Sequence, residues 1–74
     1  MDQHARLAHL QELLGENAGV REHLAAHRDR LLAHHASRER DRALLHAKKA
    51  MRRAEKMQRS LERAIRNEGK QHSR

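Results

Sequence analysis

The residues able to do chemistry in this chain are histidines and strong bases. Eight histidines occur among 74 residues. His23 and His27 stand four apart, so on a helix their imidazoles share a face, and His34 continues that side. Two imidazoles at this spacing can grip one metal ion, but a zinc site asks for a third ligand and usually a fourth. The chain has no cysteine and no His-Glu-x-x-His pattern to supply them. The histidines therefore read as solvated helix surface, and no metal site is expected.

The bases are the second group. Lys48, Arg52, Lys56, Arg59, Arg63 and Arg66 recur every three or four residues, with Lys49 and Arg53 beside them. On a helix they share one side. Such a face can neutralise phosphates and would make binding steeply salt-dependent. Against nucleic acid stand the aromatic content of 0%, which leaves nothing to stack on a base, and the lack of a zinc-finger or RNP-type motif. The plainer alternative is a solvated charged face, partly balanced by Glu55 and Glu62. No Ser/His/Asp set or carboxylate pair sits where a pocket would form, so no catalytic residue and no cofactor are expected, and the chain reads as non-enzymatic.

Opposite the bases lies the element that positions them. Ala43, Ala47, Ala50, Ala54, Met57, Leu61 and Ala64 step by three and four, the spacing of one helix seam, and Leu44, Met51 and Ile65 widen it. The absence of proline and the abundance of Ala, Leu, Arg, Glu, Gln and Lys favour helix nearly throughout. Residues 3–14 are predicted as a short first helix capped by Asp2, with Leu7, Leu10 and Leu14 on its stripe. Gly15 and Gly19 predict a break, Gly15 as the residue after a helix end. A second helix is expected over 20–35, with Val20, Leu24, His27 and Leu31 on one face. That face lies roughly 110–130° from the later seam on a straight wheel, which predicts a turn between them. The turn is placed at His34–Ser37, Ser37 capping a third helix over 38–67 whose first turn carries Glu39 and Asp41. The alternative is one long helix, dimerised along a wandering stripe. Gly69 would follow the third helix, and 68–74 would be a polar tail.

The expected fold is thus all-α, a single domain over 1–74: a short N-terminal helix followed by an antiparallel helical hairpin. With no aromatic side chain, its core must come from Leu, Val, Ile, Met and Ala, so a chain this short is expected to gain stability from a partner. In this layout the third helix overhangs the second by about two turns. Leu44, Met51, Met57, Leu61, Ala64 and Ile65 are then the expected partner-binding residues, docking into another protein's groove or onto a second copy as a homodimer. No run approaches the ~18 apolar residues of a membrane span, and the opening Met-Asp-Gln-His carries no secretory leader, so a cytoplasmic protein is expected. Formal charge is −2 over 1–19, +1 over 20–37 and +8 over 38–74, which keeps nucleic acid open as a partner.

The layout resembles the small E-type co-chaperones of type III secretion needle subunits. The resemblance rests on Leu10-Gln11-Glu12-Leu13-Leu14, on Val20-Arg21 with the Leu24…Leu31 stripe, on the break near Ala36, and on Leu44…Ala47…Ala50…Ala54…Leu61. It spans about residues 7–66. The last helix is more basic than the family pattern and the turn lacks its glycine. The resemblance implies a cytoplasmic protein without enzymatic activity, paired with a tetratricopeptide-like chaperone to keep a needle subunit from polymerising.

Overall fold

The computed structural model describes residues 2–72, with side chains through Lys70. They form two α-helices, α1 over Gln3–Leu32 and α2 over Arg38–His72. At the start of α1, Asp2 is extended and its carboxylate accepts the Ala5 N–H at 2.7 Å. The helix then passes straight through Gly15 and Gly19. The separate first helix is therefore corrected: residues 3–14 and 20–32 are one element. Neither glycine has positive φ, so neither terminates anything. Helical glycine costs roughly 0.5–1 kcal/mol relative to alanine. Continuing the helix keeps every backbone bond and lets the chain bury one stripe from end to end.

That stripe runs Gln3, Leu7, Leu10, Leu14, Asn17, Arg21, Leu24 and Leu31, all half-buried, in alternating steps of four and three apart from a gap at exposed Arg28. Val20, expected on it, is 50% exposed. On α2 the matching stripe is Arg40, Leu44, Ala47, Met51, Ala54, Gln58, Leu61, Ile65 and Glu68. Ala47, Ala54 and Leu61 are its buried line, at 6%, 6% and 7% exposure. Met57, expected in the seam, is 53% exposed, because strict alternation after Ala54 puts Gln58 there instead.

The turn forms where expected. Ala33 caps α1, and the Ser37 hydroxyl accepts the Arg40 N–H at 3.0 Å to open α2. The Arg40 guanidinium reaches back to the His34 carbonyl at 2.9 Å and ties the connection down. At the far end α2 runs past Gly69, so the expected C-terminal cap and most of the tail are helix; Ser73 and Arg74 lie outside the described residues. α1 and α2 lie antiparallel, Gln3 donating to the Glu68 carbonyl at 3.0 Å and Asn17 to the Ala54 carbonyl at 2.7 Å.

The hairpin measures 56 × 16 × 14 Å, with a radius of gyration of 16.8 Å. A compact chain of this length would have roughly 11 Å. Its accessible surface is 6223 Å², whereas a compact protein of its mass exposes about 4,700 Å². Two helices make one seam but cannot enclose a core.

Candidate functional site

Because α1 is 30 residues long, it covers α2 almost throughout, and the overhang expected beyond the second helix does not exist. Leu61 is consequently core, and its assignment as a partner contact is corrected. Ala64 and Ile65 are half-buried beside it. Met57 stands exposed on one flank of the hairpin. Leu44 and Met51 lie on the other, in the half of the hairpin nearer the turn.

There they line a groove of about 420 Å³. Its apolar residues are Leu24 and Leu32 of α1 with Leu44, Ala47 and Met51 of α2; Leu32 is 56% exposed. Arg28, Lys48 and Arg52 stand around it, with Glu55 as the one acid. A shallower hollow continues it along the same flank past Ala18 and Ala25. The sequence reading missed Leu24 and Leu32 here. Leu32 is the last residue of α1, and a helix ending there rather than at His35 was the signal needed.

The seam carries a polar crossing. Arg21 donates to the Gln58 Oε1, and the Gln58 amide donates to Glu62 at 2.8 Å. Arg21 Nε and Glu68 Oε2 are buried without a partner, each a cost of about 1–3 kcal/mol or more, since both groups are charged. Arg6 lies 3.6 Å from the other Glu68 oxygen. Glu62 is thus turned to the seam side and Glu55 to the groove, and neither forms the i,i+4 ion pair with Arg66 or Arg59 that their spacing permits.

Lys48, Arg52, Lys56, Arg59, Arg63 and Arg66 are all exposed on the side of α2 away from the seam, together with Lys49 and Arg53. Among the histidines, His23 and His34 are exposed and His27 half-buried. Among the described residues no three His, Asp or Glu side chains gather where one metal ion could sit. Another hollow, between Gln3, Leu7 and Glu68, holds about 80 Å³, well below the ~300 Å³ at which small-molecule sites begin. None of the described helices is long and apolar enough to cross a membrane. Set against protein-family models, characterised proteins and solved structures, the chain matches none.

Proposed function

We propose that the hairpin is a non-enzymatic protein–protein interaction module whose groove takes an amphipathic helix with acidic edges. The observation that carries this reading is the groove itself, an apolar floor of Leu24, Leu32, Leu44 and Met51 flanked by three cations and one acid. Apolar helix faces dock into such grooves through anchors spaced three and four residues apart. Acidic edges on the incoming helix would meet Arg28, Lys48 and Arg52, which favours a heterologous occupant over a second copy of a chain with net charge +7. The sharpest form of the reading is a cytoplasmic secretion co-chaperone, the occupant then being a helix of a tetratricopeptide-like chaperone. Of the features behind that resemblance, the hairpin remains and the separate first helix does not.

The test uses two synthetic amphipathic helices with the same leucine anchors, one edged with glutamate and one with lysine, titrated against the full chain by fluorescence anisotropy. The glutamate-edged helix is expected to bind, and Met51→Glu to weaken it about tenfold or more, because a charge would enter an apolar contact. Circular dichroism confirms that the variant stays helical. Equal binding of both helices, or no change with Met51→Glu, overturns the reading. So does a homodimer in sedimentation equilibrium that Met51→Glu dissolves, since the groove would then belong to a second copy.

A further inference from the structure

The outer side of α2 is chemically one-signed, and the groove shares only Lys48 and Arg52 with it. Lys48, Arg52, Arg59 and Arg66 form one edge, Lys56 and Arg63 the middle, and Lys49 and Arg53 the other edge, over an arc of about 140° at 100° per residue. All eight are exposed, and none is held in an ion pair. No acid falls within the arc between them, because Glu55 lines the groove and Glu62 accepts the Gln58 amide. An unpaired array of this kind repels itself, and its natural complement is an equally dense array of negative charge.

We infer that this face binds the phosphate backbone of double-stranded DNA without sequence preference. Three features of the chain select that ligand. A single strand is held largely by stacking on aromatic rings, and aromatic content here is 0%. A membrane-surface helix needs a broad apolar face to insert, and α2 turns its buried line, Ala47, Ala54 and Leu61, against α1. The spread of cations fits a duplex groove: from Lys48 to Arg66 α2 rises about 27 Å, and a helix with side chains is about 10–12 Å across, close to the ~12 Å width of the B-form major groove. Seated there, the two edge rows meet the two phosphate walls. A-form RNA closes its major groove to a helix. The face carries no glutamine or asparagine in its central rows to read adenine, so its contacts position the protein without specifying a sequence.

The test measures binding of the full chain to a mixed-sequence DNA duplex, the matching RNA duplex, oligo-dT and anionic phosphatidylserine vesicles across 50–200 mM salt. DNA is expected to bind most tightly, with a slope of log K against log salt of about −5 to −7, as six to eight neutralised phosphates dictate. Arg59→Glu, Arg63→Glu and Arg66→Glu together should flatten the slope by roughly three units, one for each lost contact. These positions lie off the groove, so binding of the glutamate-edged helix should be unaffected by the triple change. The corresponding triple lysine variant should keep the slope, showing that charge rather than fold was lost. A slope near zero, an unchanged slope in the glutamate variant, or tighter binding to RNA, oligo-dT or vesicles overturns the inference.

Discussion

α1 and α2 are packed along one seam, yet they are built differently. α1 carries four cations and four acids, spaces two glycines through its middle, and puts Asn17 and Arg21 on its packed face. α2 carries twelve cations and five acids and packs through small residues, Ala47 and Ala54, with Leu61. Alanines let the backbones approach closely, but they contribute little buried area; a fully buried leucine is worth about 1.5–3 kcal/mol. The neutral helix therefore serves as the cover that satisfies α2's apolar side and leaves its basic side to solvent. The difference teaches that α2 has three unlike sides, one packed on α1, one lining the groove together with α1, and one basic and open to solvent.

The sharpest way to break this comparison is to charge the seam. Leu61→Glu should cost several kcal/mol, from lost burial plus a carboxylate facing apolar surface. A chain with so small a core is expected to lose its cooperative thermal transition altogether. Leu45→Glu is the partner experiment. Leu45 is 52% exposed on the basic side of α2, and the same change there should move stability by less than about 0.5 kcal/mol. Matching melting curves for the two variants, followed by circular dichroism, would show that α1 does not cover α2 as described.

The unequal construction of the helices also explains which of them could be read from sequence. In α2 the seam is apolar at Leu44, Ala47, Met51, Ala54, Leu61 and Ile65 and the opposite face is charged, so period, start and basic face were all legible, down to Ser37 as cap. Two slips occurred there: Met57 for Gln58, from choosing hydrophobicity over strict alternation, and an end placed at residue 67 on the strength of Gly69, where the helix runs on to His72. In α1 the packed face is interrupted by Asn17 and Arg21, whose partners, Ala54 and Gln58, are thirty-seven residues away in sequence. A polar residue in a seam looks like the end of a stripe until its partner is known. With glycines on either side, the stretch Gly15–Gly19 had every local mark of a break, and only tertiary packing overrides it. The groove was half legible: Leu44 and Met51 were singled out, but Leu24 and Leu32 enter it through the pairing of the two helices.

The glycines give the next test, of intermediate size. Gly15 and Gly19 sit in helical backbone, and a Cβ built at either meets nothing within 4 Å. Alanine at either position should then stabilise by about 0.5–1 kcal/mol, through higher helix propensity and a less flexible unfolded chain. For a domain of this size each kcal/mol raises the melting temperature by about 4–8 °C, so the double variant should gain several degrees. A drop in melting temperature for Gly15→Ala would restore the break and the separate first helix.

The smallest effect bears on the junction that keeps the two helices distinct. The Ser37 hydroxyl accepts the Arg40 N–H, and the Ser37 carbonyl accepts from Asp41 at 3.0 Å, the pattern of a capping residue. Capping and helix-interior positions rank glycine and alanine in opposite order. At a cap, Ser37→Gly should cost only a few tenths of a kcal/mol and Ser37→Ala about 1. Inside a continuous helix, alanine would be the better of the two by about 1 kcal/mol. The sign of the difference between the variants therefore reports the turn directly, whatever its size. Denaturant melts of Ser37→Gly and Ser37→Ala should place alanine below glycine; the reverse order would make α1 and α2 one helix through His34–Ser37, with no hairpin, no sealed seam and no groove.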